Sequence, residues 1–120
     1  MYKLCIEDHF DAAHFLRDYV GPCARTHGHT WKVQISVKGT QEDLQANGIL
    51  VDFKILKKDL KAVLNNFDHR IINDVDPFQQ INPTAENLSY YIYNALKINY
   101  SLAWIRVWES PTAYCEYSKE

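Results

Sequence analysis

No apolar run in this sequence approaches the length needed to cross a bilayer. Its first residues, Met1-Tyr2-Lys3-Leu4-Cys5-Ile6-Glu7-Asp8, meet charges too early for a secretory leader. There is no basic stripe either. The 13 Lys and Arg are scattered among 15 Asp and Glu for a net charge of −2, which disfavours nonspecific nucleic-acid binding. Cysteine is sparse: Cys5, Cys23 and Cys115 form no C-x-x-C pair and no even disulfide framework, so reduced thiols in a cytoplasmic protein are expected. Glycine and proline number four each, with no repeat or low-complexity tract.

What remains is ordinary globular material, 47% apolar and 23% charged over 120 residues. That is enough for one domain spanning 1–120 with a core that needs no disulfide or structural metal. Aromatics reach 13%, eight of them tyrosine, a residue suited to subunit interfaces and ligand pockets.

Periodicity divides the chain. Residues 2–10 alternate, with Tyr2, Leu4, Ile6 and Phe10 on one face, and predict a strand running toward His14. Residues 16–28, with Gly21-Pro22, predict a loop. A second strand is predicted over 30–38, with Trp31, Val33, Ile35 and Val37 facing one way, and Gly39 ends it. Asp52 is a good N-cap for an amphipathic helix built on Phe53, Leu56, Leu60, Val63, Leu64 and Phe67. Thr84 or Asn82 can cap a second helix whose inner face is Leu88, Tyr91, Ile92, Ala95 and Leu96. Two closing strands are expected at about 102–109 and 113–118, with Ala103, Ile105, Val107 and Glu109 on one face of the first. The order ββααββ predicts an α+β fold: a four-stranded antiparallel sheet with both helices on one side.

Several residues could carry chemistry. His27 and His29, two apart in an extended segment, point to one face and could offer two nitrogens to one ion. A third ligand could come from His14 or His9, of which His14 lies nearer the connecting loop; the residues alone leave open whether the imidazoles are merely hydrogen-bonded. Cys23, four residues before His27, could be an activated thiol or a plain loop residue. Asp68 could orient His69, or the pair could simply end a helix. Glu109, on an otherwise apolar strand face, could accept two parallel hydrogen bonds from a guanine-like ring edge, or turn to water.

Six stretches taken in order carry more weight than any one. Phe10-Asp-Ala-Ala-His14, Cys23-Ala-Arg-Thr-His27-Gly-His29, Gly48-Ile-Leu-Val-Asp52-Phe53, Phe67-Asp-His-Arg70, Asn82-Pro-Thr-Ala-Glu86-Asn-Leu88 and Val107-Trp-Glu-Ser-Pro-Thr112 span nearly the whole chain. Together they make it resemble the 6-pyruvoyltetrahydropterin synthase family, most closely its bacterial 6-carboxytetrahydropterin synthase branch. The resemblance implies Zn2+ held by His14, His27 and His29, against His9; Cys23 as general base; and Asp68 and His69 completing a proton-transfer set reached across a subunit boundary. It implies Glu109 as the pterin anchor and part of the proton relay, with Thr84 and Glu86 near the substrate. It further implies a tunnelling fold whose trimers close a β-barrel and stack into hexamers with interfacial sites.

The implied activity is a zinc-dependent lyase in queuosine biosynthesis, acting on 7,8-dihydroneopterin triphosphate to give 6-carboxy-5,6,7,8-tetrahydropterin, acetaldehyde and triphosphate. Three residues between Cys23 and His27 match that branch. The pyruvoyl-forming enzyme is the same-class alternative, and a non-catalytic zinc- or pterin-binding oligomer the alternative of another class. Phe15 and Phe67 depart from the family's more usual residues.

Overall fold

The computed structural model describes residues 1–120. Its elements are β1 (Tyr2–His14), β2 (His27–Gly39), α1 (Phe53–Leu64), α2 (Ala85–Leu96), β3 (Leu102–Ser110) and β4 (Ala113–Tyr117). The strands lie in the order β1-β2-β3-β4, every neighbour antiparallel, and both helices fall in the β2–β3 connection. The expected α+β arrangement is present. No helix is long and apolar enough to cross a membrane.

The period-two pattern forms strands because it lets one face be buried and the other meet water. Trp31, Val33, Ile35 and Val37 of β2 are all buried, with Phe10 and Ile6 beside them on β1 and Ile105 and Val107 on β3. Leu56, Leu60 and Leu64 of α1 and Leu88, Ile92 and Leu96 of α2 close the other side. Each such apolar side chain contributes roughly 1.5–3 kcal/mol on burial. Asp52 caps α1 by accepting the Lys54 amide at 2.8 Å, and Thr84 caps α2 by accepting that of Asn87 at 3.1 Å.

Four details differ from expectation. β1 continues to His14 and β2 begins at His27, because backbone pairing carries the ladder through Asp11–Ala13, where the apolar alternation has stopped. On β3, Leu102 rather than Ala103 faces the core, because a bulge opposite Ser36 and Val37 flips the alternation. Phe53, at the first position of α1, is exposed, the core stripe beginning one turn later. Ala95 is exposed, and Ser89 and Tyr93 complete the buried face of α2 instead.

Two asparagines fix the chain where β1 ends. Asn73 accepts the amide of Phe15 and donates to its carbonyl, both at 3.0 Å, as a neighbouring strand would. Asn82 treats Arg17 identically, at 2.9 Å in each direction. Asn73 is buried, so Asn73→Ala strands two backbone groups in the interior; it should cost about 1–3 kcal/mol in a urea titration.

Candidate metal centre

The core-facing side of the sheet continues past the helices at the end where β1 finishes and β2 starts. Phe10 and Ala12 lead to His14 along β1, and Trp31 leads back to His29 and His27 along β2. His14 pairs with His27 and Ala12 with His29 in the ladder, so the three rings gather in one place. Their centroids lie 4.6, 5.1 and 4.8 Å apart, and His14 and His29 both set an edge against Trp31.

Backbone carbonyls decide which ring nitrogens carry protons. His14 Nδ1 lies 2.8 Å from the Pro83 carbonyl and His27 Nδ1 lies 2.6 Å from that of Arg25. A carbonyl only accepts, so both Nδ1 atoms donate, and in the neutral rings both Nε2 atoms present bare lone pairs. Those two Nε2 atoms face each other at 3.0 Å. His29 Nε2 is buried without a hydrogen bond. Glu109 Oε1 lies 3.2 Å from His14 Nε2 and 3.3 Å from that of His29. The His29 contact is therefore a close approach of charge, not a hydrogen bond. Four donor atoms converge, with no proton on the facing nitrogens of His14 and His27, an arrangement that fits a divalent cation.

Burial lowers the pKa of His14 and His29 from 6.5, outweighing the opposing pull of the Pro83 carbonyl on His14 and of Glu109 on both. The neutral, ligating form is thereby favoured.

Glu109 owes its aim to a bulge. Trp108 pairs with Tyr114 and Ser110 with Ala113, which leaves Glu109 outside the ladder. It also lines a pocket of about 360 Å³ with Glu86, Tyr114 and Cys115. Glu86 is exposed in the first turn of α2, while the Thr84 hydroxyl is occupied in capping that helix.

A second cluster holds Asp68 and His69. Asp68 Oδ1 accepts the Asp11 amide at 3.0 Å and lies 3.1 Å from His69 Nδ1. The Asp11 amide holds the Asp68 carboxyl below its ordinary pKa. His69 itself is exposed, with a left-handed φ of 58°. A groove of about 580 Å³ runs between this cluster and the metal centre, lined by Asp11, Gly28, His29, Thr30, His69 and Arg70. Cys23 lies outside both clusters, half-buried in the short helical turn Pro22–Ala24, where its carbonyl accepts the Leu16 amide. His9 is exposed and stands apart.

Sequence reasoning did not anticipate Asp11, which accepts from the Thr30 hydroxyl across the ladder and supplies the amide that holds Asp68. Its place in the Phe10–His14 stretch was the available signal. Nothing in the sequence pointed to Pro83 as the acceptor for His14.

The fold and centre together define a class: a small α+β domain bearing a three-histidine, one-carboxylate group at the open end of an antiparallel sheet. The family model described as 6-pyruvoyl tetrahydropterin synthase matches residues 3–120. A 6-carboxy-5,6,7,8-tetrahydropterin synthase of Haemophilus influenzae is 35% identical over 99% of this chain and 100% of its own. One of Bacillus subtilis is 37% identical over 97% of this chain and 84% of its own. The solved structure of Caenorhabditis elegans 6-pyruvoyl tetrahydropterin synthase superposes with a TM-score of 0.88 at 26% identity, covering 99% of this chain and 96% of that one. The chain belongs to the 6-pyruvoyl tetrahydropterin synthase family.

His14 and His29 are harder to protonate folded than unfolded. The stability this provides is complete above about pH 6.5 and is lost as pH falls through the lowered folded values. The metal-free protein should therefore unfold at lower denaturant as pH drops from about 7 to about 5, with a shallower dependence in His14→Gln. At neutral pH, a divalent cation that the centre binds, supplied at about 100-fold over its Kd, should add about 2.7 kcal/mol, a gain that His27→Ala abolishes.

Proposed function

We propose that the chain, acting as a single domain over 1–120, is a zinc-dependent carbon–carbon lyase of queuosine (7-deazaguanine) biosynthesis. Its substrate is 7,8-dihydroneopterin triphosphate. With one water consumed, the products are 6-carboxy-5,6,7,8-tetrahydropterin, acetaldehyde and triphosphate. The observation that carries this reading is the convergence of the His14, His27 and His29 ring nitrogens, two of them left bare because carbonyls hold the proton on the other side of the ring. Family membership and the names of the bacterial relatives supply the substrate class.

His14, His27 and His29 would hold the zinc. When bound, it supplies Lewis acidity that favours loss of a proton from a substrate hydroxyl. The chain's own residues do the rest. Glu109 accepts two hydrogen bonds from the pterin N–H/NH₂ edge, and Glu86 borders the same pocket. Cys23 takes a proton from the side-chain carbons, which permits triphosphate loss and then scission of the carbon–carbon bond. His69, oriented by Asp68, accepts and returns protons.

Because Cys23 stands apart from the Asp68–His69 pair within one chain, a neighbouring copy completes the set. The edge of β1 ahead of Asp11, the edge of β4 and the half-exposed outer sheet face favour the same conclusion, three sheets closing a barrel and two trimers stacking. Arg17 is committed to the carbonyls of Phe78 and Ile81, so the triphosphate falls to Arg25 or Arg70, of which Arg70 borders the groove. Three dispersed thiols suit a reducing cytoplasm.

The pyruvoyl-forming reaction is the second reading, supported by the name of the C. elegans structure. The products separate the two. Zinc-loaded protein given 7,8-dihydroneopterin triphosphate should release acetaldehyde and 6-carboxytetrahydropterin; triphosphate without acetaldehyde supports the second reading, and no turnover refutes both. Cys23→Ala should lower kcat by about 10²–10⁴-fold with zinc content unchanged.

A further inference from the structure

We propose that Glu109 is the fourth protein ligand of the metal in the substrate-free protein, and that it leaves the metal to receive the pterin ring. The proposal rests on the reading above for the identity of metal and substrate. It assigns to one carboxylate two partners that exclude each other.

Three observations carry it. The first is spacing. Zinc–ligand bonds of about 2.0–2.1 Å arranged tetrahedrally put neighbouring donors about 3.3 Å apart. The measured separations are 3.0 Å for His14 Nε2 to His27 Nε2, 3.2 Å for His14 Nε2 to Glu109 Oε1, and 3.3 Å for His29 Nε2 to Glu109 Oε1. Glu109 Oε1 therefore stands at tetrahedral donor distance from two of the three imidazoles and within 4.8 Å of the third.

The second observation is electrostatic. His14 Nδ1 donates to Pro83, so its Nε2 turns a lone pair, not a proton, toward an anionic oxygen. Two electron-rich atoms at that distance repel unless a cation lies between them. Three neutral imidazoles also leave the full charge of a divalent ion uncompensated beside the apolar face of Trp31, and Glu109 is the only carboxylate in the group.

The third is access to both partners. Glu109 sits in the bulge between Trp108 and Ser110, outside the hydrogen-bonded register, and is partly exposed. Its side chain also borders the pocket shared with Glu86 and Tyr114. A rotation of the side chain would carry the carboxylate from the imidazoles into that pocket.

The test uses the full chain loaded with Co2+ in place of zinc, as wild type, Glu109→Gln and Glu109→Ala, each checked for native circular dichroism. Zinc affinity is measured against a chromophoric chelator. Thiocyanate, an anion that takes open cobalt positions, is titrated while the visible spectrum is read. Zinc affinity should fall in both variants by at least the about 10–100-fold that loss of an outer-shell partner costs. Thiocyanate should perturb the variants at about tenfold or more lower concentration than wild type. Saturating pterin without a C6 side chain should shift the wild-type spectrum toward that of the variants.

Equal zinc affinity and equal thiocyanate response in all three proteins overturn ligation by Glu109 while leaving the three-histidine centre standing. A wild-type spectrum unmoved by pterin overturns the exchange. Failure of the folded wild-type chain to bind Co2+ overturns this proposal and the metal reading together.

Discussion

The site depends on one hydrogen bond, from His14 Nδ1 to the carbonyl of Pro83. It joins the end of β1 to the segment just before α2, 69 residues away, and so couples sheet to helix layer. It also fixes the tautomer of a buried imidazole, since a carbonyl cannot donate. Without it the proton could move to Nε2, and His14 would turn a donor toward its neighbours instead of a lone pair. The surrounding fold serves that bond: Asn82, adjacent to Pro83, grips Arg17 on both sides of its peptide, and Asn73 does the same for Phe15. Proline's missing N–H costs nothing here, because only its carbonyl is needed.

Much of the architecture was legible because it follows from period. Every strand and helix has a run of apolar residues at spacing two or at three and four, and each run became the element expected. Errors fall where long-range pairing overrides local pattern. Asp11-Ala12-Ala13 lacks apolar alternation yet stays extended, because residues 28–30 offer it a partner. Ala103 has the right parity for the core and loses it because it is the extra residue of a β3 bulge opposite Ser36 and Val37. Ala95 and Phe53 have acceptable spacing but lie at the margins of their helical stripes, where neighbouring elements decide what is covered.

The site was legible in part for the same reason. His27, His29 and Trp31 share parity, so the sequence already put both imidazoles on the face of a core tryptophan. The choice of His14 over His9 required the family resemblance, and the structure separates them by burial. The approach of Glu109 to the imidazoles could not be read, because it depends on a one-residue irregularity in β3 and on strand order. Cys23 and the Asp68–His69 pair are recognisable by motif alone, and within one chain they do not fall in one cluster.

The converging donors come from three adjacent strands, β1, β2 and β3, and this bears on how the centre is assembled in time. In the unfolded chain only His27-Gly28-His29 offers two imidazoles close together. The β1–β2 pairing closes a short loop, which favours early arrival of His14, whereas Glu109 lies 80 residues beyond His29 and depends on β3 docking. A metal ion captured before that point would meet only part of the donor group. Tight retention of an ion by all four donors would thus report completed sheet assembly.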